Sequence, residues 1–316
     1  MSNNSFSLAS VWNESLSAGR VEREMIPRSH IWASEILGSY YDRYYKMKGR
    51  QPTTPPNLRS QRKFAAGNLT EFLVKQILVR AGLLKETQTH ISNIEFALEV
   101  TGKLDFLAGG EIKDINEDAF DDFPEGFDTV ASSVVSQLRE LHPEGLRDQI
   151  LEIKSCSGMM FNLYEKQPAI HHMLQLFHYA HTMRLSGLLV YISRDDLRLQ
   201  EWMVMPDTPK LLELYRKDVE RMAEILTMDI PPLEPRLTML NDRFKKNWQV
   251  EYSNYLSDYG YDLPSDYADA ASKLCGRLNR VLKRRAEGKE LTVKNMDAID
   301  AGIMFCSGYK EQYDQI

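Results

Sequence analysis

The heptapeptide QILEIKS at 149–155 constrains this chain more than any other stretch, because Glu152 and Lys154 alternate in it with Leu151 and Ile153. A strand has a side-chain period of two, so the alternation puts both charges on one face and the aliphatic side chains on the other. An isolated carboxylate or ammonium is costly to bury. The fold therefore has to bring this strand something that compensates both charges. Asp105 poses the same problem inside the apolar run GKLDFLAG at 102–109.

The segments around these runs predict an α/β chain. HIWASEILGSYYDRYYKM at 30–47 has apolar and aromatic residues at helical spacing, and the prolines of QPTTPPN at 51–57 end it. A second helix is expected over 65–82, with Leu69, Phe72, Leu73, Ile77 and Leu78 on one face and Gly82 as its stop. Strands follow at 94–100 (IEFALEV), 102–109 and 149–155, and the acidic stretch between the last two reads as a solvated excursion. MLQLFHYAHTMRL is a helix, GLLVYIS at 187–193 a buried strand, LQEWMVM at 199–205 its hairpin partner, and PKLLELYRKDVERMAEILTM an amphipathic helix. PPLEP at 231–235 reads as a boundary. These features divide the chain into a weakly structured arm at 1–25, a core at 26–235 and a helical extension at 236–316.

Charge narrows the partners. Eight acids and a single lysine lie between Glu111 and Asp128, outweighing the net charge of −6 for the whole chain. The remainder is close to balanced, which allows a phosphate-bearing partner while arguing against a broad non-specific coat. Cys156, Cys275 and Cys306 are too few and too widely spaced for a disulfide framework or a zinc module. No apolar run is long enough to span a membrane and the polar start is unlike a signal peptide, so a cytoplasmic protein with no membrane partner is expected.

Carboxylates that converge on one point are hard ligands for Mg²⁺ or Mn²⁺, and a lysine beside them puts a cation next to an attacking water. Alone, E-x-K is a weak motif. The ordered series is more specific: Glu71 on a helix, G-x-x-D at Gly102–Asp105, the strand with Glu152 and Lys154, then Gln175 and Tyr179 four residues apart on the next helix. In this order the chain resembles the PD-(D/E)XK nucleases, specifically the RecB-like branch that includes CRISPR-associated exonucleases and many phage exonucleases, over roughly residues 30–235. The resemblance implies a central mixed sheet flanked by helices. It implies metal held by Asp105, Glu152, Glu71 and the carbonyl of Ile153, with Lys154 assisting water attack and Gln175 and Tyr179 lining the DNA path. The activity so implied is metal-dependent hydrolysis of DNA, expected to be exonucleolytic, with DNA as partner and room for a recombination or repair protein beside it. Two other readings stay open: a DNA-end-binding or complex-assembly module whose site need not turn over, and a defence-type endonuclease.

The chain departs from that family twice. Many RecB-like nucleases carry a metal-binding histidine on the helix of Glu71, where this chain has Thr70 before the glutamate. Some members also hold an iron–sulfur cluster on one cysteine in the first helix and three near the C-terminus. Here GSYYDRYY has no cysteine, and NWQVEYSNYLSDYGY at 247–261 has Val250 and Ser253 where thiolates would stand. Iron needs those thiolates, so no cluster is expected, and tyrosine packing is expected to hold the C-terminal segment instead.

Three further signals are weaker. His171, His172, His178 and His181 crowd the helix of Gln175; a polar face near the site suits them better than zinc. Lys273, Arg277, Arg280 and Arg284 form a basic stripe at helical spacing, which is a candidate phosphate contact and otherwise a solvated face. Tyr252, Tyr255, Tyr259 and Tyr261 suit core packing better than base stacking.

Overall fold

The computed structural model describes residues 11–15, 24–113, 126–240 and 242–305. Along the chain lie a helical turn α1 (residues 11–15), β1 (His30–Trp32), α2 (Tyr40–Met47), α3 (Leu58–Arg80), β2 (Leu84–Thr87), β3 (His90–Asn93), β4 (Glu99–Lys103) and β5 (Phe106–Gly110). Next come α4 (Phe127–Leu141), β6 (Leu146–Cys156), α5 (Gly158–Tyr164), α6 (Ile170–Met183), β7 (Ser186–Ser193), β8 (Leu199–Val204) and α7 (Pro209–Leu226). The hairpin β9 (Leu237–Leu240) and β10 (Arg243–Lys246) precedes α8 (Trp248–Glu251), α9 (Pro264–Ala286) and α10 (Val293–Phe305). The described residues fall into two compact units: one from segments 11–15, 30–36, 57–113 and 126–220, the other from 24–29, 37–56, 221–240 and 242–305.

The first unit holds a five-stranded sheet in the order β2-β5-β6-β7-β8. The β6–β7 pair is parallel and the other pairs are antiparallel, so the sheet is mixed. Parallel neighbours need a crossover; here α5 and α6 lie between β6 and β7 in the chain. One face of the sheet closes against the C-terminal end of α3 and against α4. Leu78, Ala81, Ala131 and Val135 pack there on Phe106, Leu151, Ile153, Val190 and Ile192. Because Leu151 and Ile153 face this core, the period of two leaves Glu152 and Lys154 on the other face, as the sequence required. A second sheet, β1-β4-β3, stands beside it in the same unit.

Several sequence expectations give way here. Residues 30–47 are not one helix: His30–Trp32 pair in parallel with Glu99–Thr101, a short 3-10 turn follows, and Leu37 takes a left-handed φ of 57° that ends any continuation. Only after Ser39, whose side chain caps the backbone N–H of Asp42, does α2 begin. Helix α3 starts earlier than expected, at Leu58, because Asn57 caps Ser60 right after the prolines. Its buried face is also rotated: Thr70 and Leu78 are buried, while Leu69 and Phe72 are 61% and 53% exposed. Gly82 does stop it, with φ 72°. The strand expected at 94–100 is displaced to Glu99–Lys103, and GKLDFLAG is split, since β4 ends before Asp105 in one sheet and β5 begins after it in another. The acidic excursion contains a helix, α4, with residues 114–125 outside the described chain.

The second unit has its own core, in which Tyr41, Tyr255, Tyr259 and Tyr267 pack with Phe244, Val250, Leu274 and Leu278. In the extension expected to be mostly helical, a hairpin pairs Leu237–Leu240 with Arg243–Lys246. The side chain of Asn279 on α9 clamps it, accepting from the N–H of Phe244 and donating to its carbonyl. Val250 is fully buried among apolar neighbours. Ser253 donates to Asp42 (2.5 Å), whose other oxygen accepts from the N–H of Asn254 (2.7 Å). The same polar seam continues to Glu234, which accepts from Ser39, Tyr259 and the N–H of Tyr41. A buried carboxylate satisfied in this way is stable where a bare one would not be.

Candidate functional site

The site begins with Glu152 on β6, which is 1% exposed. Its Oε1 accepts from Lys154 Nζ at 2.6 Å and from Gln175 Nε2 at 2.7 Å. Its Oε2 is equally buried and has no hydrogen-bond partner. Leaving a buried carboxylate oxygen bare costs on the order of 1–3 kcal/mol or more, so the vacancy in its bonding needs a reason.

Asp105 lies between the two sheets, at the step from β4 to β5. Its Oδ2 accepts from the N–H of Ile153 at 2.8 Å, which ties the carboxylate to the strand that carries Glu152. Ile153 thus enters the site through its amide. Glu71 projects from α3, and one of its oxygens accepts from the side chain of Gln88 at 3.0 Å. Gln88 gave no signal in the sequence: it occupies a turn between β2 and β3 with a left-handed φ of 54°, and a lone polar turn residue cannot be matched to a distant helix from sequence.

The electrostatics single out the cluster. Burial pushes the Glu152 carboxyl up to about 7, with the charges of Asp105 and Glu71 adding to the rise and Lys154 opposing it. Burial also raises Asp105, against the pull of Lys154 and the Ile153 amide. Glu71 is raised by burial and by Asp105. Lys154 moves up in spite of its burial, because Glu152, Asp105 and Glu71 all favour its charged form. Three carboxyl groups are set against two ammoniums, Lys154 at the centre and Lys75 beside Glu71, so negative charge is still in excess.

Those residues fit a hard divalent ion. Among the described residues no three His, Cys, Asp or Glu side chains close into a ready-made cage. Mg²⁺ does not demand one, since it keeps several waters and takes one or two protein carboxylates. Asp105 and the unpartnered oxygen of Glu152 are the groups that could hold such an ion, and a cation there would offset the excess negative charge.

Helix α6 buttresses the site from within. Gln175 is 7% exposed and spends its amide on Glu152, and Tyr179 is 1% exposed and donates to the carbonyl of Lys103 at 3.1 Å. In this structure both serve the protein's own geometry. Gly102 explains its place in G-x-x-D: a Cβ there would come within 2.5 Å of Tyr179 Oη and 2.8 Å of its ring. The histidines of α6 act as packing polar groups. His178 bonds Tyr215, His181 bridges Glu95 and the carbonyl of Pro206, and His172 bonds Tyr191. Burial first, then the charge of Lys154, pushes His171 down to about 4 and His172 to about 2, so near the site these rings are neutral at physiological pH.

The basic stripe belongs to the second unit. Lys273, Arg277 and Arg280 are exposed on α9, while Arg284 donates to the carbonyl of Glu290. Leu274, Cys275, Leu278 and Val281 form the buried face of that helix. No described helix is long and apolar enough to cross a membrane.

No family model matches the chain, and no curated protein matches it in sequence. Among solved structures, that of SSO0001 is similar in fold at 14% identity and a TM-score of 0.43, covering 80% of this chain and 96% of the other. The chain itself is a mixed α/β protein, with a mixed sheet flanked by helices and further helices toward its C-terminus.

Proposed function

We propose that this chain is a Mg²⁺- or Mn²⁺-dependent nuclease that hydrolyses phosphodiester bonds in DNA, with Asp105, Glu152 and Lys154 as its catalytic residues and Glu71 in support. The observation that carries the reading is the wholly buried Glu152. One of its oxygens is held by Lys154 and Gln175 and the other has no partner, and Asp105 lies close enough to raise its pKa. The second oxygen is left for a partner that the protein's own side chains do not supply, as a metal ligand's would be.

A divalent cation at Asp105 and Glu152 would neutralise phosphate charge and supply a nucleophile near neutral pH. The chain's own groups do the remainder. Asp105 is fixed by the Ile153 amide and Glu152 by Gln175, so both carboxylates are aimed before substrate arrives. Lys154, held protonated by its acidic neighbours, presents an ammonium that orients and stabilises the attacking water and the developing negative charge. Exonucleolytic action follows the resemblance stated above and is part of the proposal.

Labelled DNA incubated with and without Mn²⁺ tests the reading. Cleavage by the parent is expected to require the metal. Lys154→Ala is expected to lose cleavage by at least about 100-fold, the usual scale for removing a preorganised charge donor, while still binding DNA. Asp105→Asn and Glu152→Gln should lose Mn²⁺ binding by calorimetry as well as turnover. Full activity in Lys154→Ala, or unchanged metal affinity in both carboxylate variants, rejects the site.

A further inference from the structure

Helix α3 carries more than Glu71. Residues four apart lie along one inclined ridge of a helix. On α3 that ridge reads Arg59, Lys63, Gly67, Glu71 and Lys75. Glu71 is the member coupled to Asp105 and Lys154. One turn earlier, the Cα of Gly67 faces β6, where a Cβ would lie 3.4 Å from Ser155 Oγ, next to Lys154 in the chain. Toward its N-terminus the ridge therefore proceeds from the catalytic cluster past the end of β6, and there it displays Lys63 and Arg59, both exposed and without an ionic or hydrogen-bonding partner among the described residues. Arg62, three residues from Arg59 and so its neighbour on the helix surface, donates to Asn13.

We propose that Arg59 and Lys63 form a phosphate track that holds the DNA backbone leading into the site. The inference rests on the nuclease reading and names the contacts that reading lacks. With a rise of about 1.5 Å per residue, Lys63 stands about 12 Å and Arg59 about 18 Å from Glu71 along the helix. At about 3.4 Å of duplex axis per phosphate on one strand, those distances match backbone positions roughly three to five phosphates from the scissile one. Two cations there offset the surplus of carboxylates that would otherwise repel DNA from the cluster. Gly67, between the cations and Glu71, has no packing need to be glycine, since a methyl group would meet only Ser155 Oγ at ordinary contact distance.

The test uses the full chain and a labelled duplex, with Ca²⁺ replacing Mn²⁺ so that binding is read without turnover. Isotherms at several salt concentrations give the dependence of log K on log salt for the parent, Arg59→Ala, Lys63→Ala and their double variant. Each lost contact should reduce the slope by about 0.7–0.9, so the double variant should lose about twice that. Cleavage in Mn²⁺ at saturating DNA should stay near the parent's rate in all three variants. Slopes for Arg59→Ala and Lys63→Ala identical to the parent's overturn the track, as does a parent that binds no DNA. A parent that binds with the expected slope changes but never cleaves sinks the hydrolytic reading and leaves the track standing.

Discussion

Glu152 sets the chemistry at the scale of single residues, and its proton gives a prediction that needs no substrate. In the folded, metal-free chain its carboxyl titrates near 7 in place of its ordinary 4.5, because burial disfavours the charge. The folded state thus binds this proton more tightly than the unfolded state, and stability falls as pH rises through that window. With metal chelated, the melting temperature is expected to decline between about pH 5 and pH 7.5, beyond any decline in Glu152→Gln. Added Mn²⁺ should restore it, most strongly at the upper end, where the carboxylate is ionised and free to ligate. A pH profile identical in parent and Glu152→Gln would mean the group titrates normally. Gln175 acts one step removed, by orienting Glu152. Gln175→Ala is expected to weaken Mn²⁺ affinity by about 10- to 100-fold, the range seen when an outer hydrogen bond to a metal ligand is lost. A purely structural role would change the melting temperature and leave the Mn²⁺ titration untouched.

Among the elements, the meeting of β4 with α6 decides whether Asp105 is presented at all. Gly102 lets the Tyr179 ring press on the strand three residues before Asp105, and Tyr179 in turn bonds the carbonyl of Lys103. Gly102→Ala should cost about 1–3 kcal/mol, the range for overpacking a well-filled contact, and should reduce cleavage as Asp105 moves. Combining it with Tyr179→Phe removes the closest clashing atom, so chemical denaturation should show a double-variant cost smaller than the two single costs added. Simple additivity would show that the contact is not the reason for glycine there. The helix α3 is placed by similar means: Leu78 and Ala81 anchor its end in the core, which fixes where Glu71 stands earlier on the same helix.

At the scale of the whole molecule, each unit is stabilised by its own interior. In the second unit Asp42 accepts from Ser253 and the N–H of Asn254, while Arg50 and Tyr41 converge on Asp258. Asp42→Ala strands those donors in a buried seam and should destabilise this unit by about 2–3 kcal/mol, the scale of hydrogen bonds to a charged group. Near-ultraviolet circular dichroism of its tyrosine cluster should lose amplitude at lower denaturant than in the parent. An unshifted midpoint would show that Tyr packing alone secures the unit.

The alternation in QILEIKS determined, without any structure, that Glu152 and Lys154 share a face opposite Leu151 and Ile153, because a period of two is a local property of an extended chain. The helices carrying Gln175 and Glu71 were legible for the same reason, since periodicity and stop signals such as Gly82 act within a few residues. Which face of α3 enters the core was not, because Leu69 and Phe72 are as apolar as Leu78 and only the sheet's position selects among them. Residues 30–47 have helical spacing, yet His30–Trp32 gain more from pairing with β4, a partner almost 70 residues away that no local pattern reveals. The same holds within the site. Sequence order named Asp105, Glu152 and Lys154, but the Ile153 amide on Asp105, Gln88 on Glu71 and the free oxygen of Glu152 exist only once distant strands and helices have been packed together.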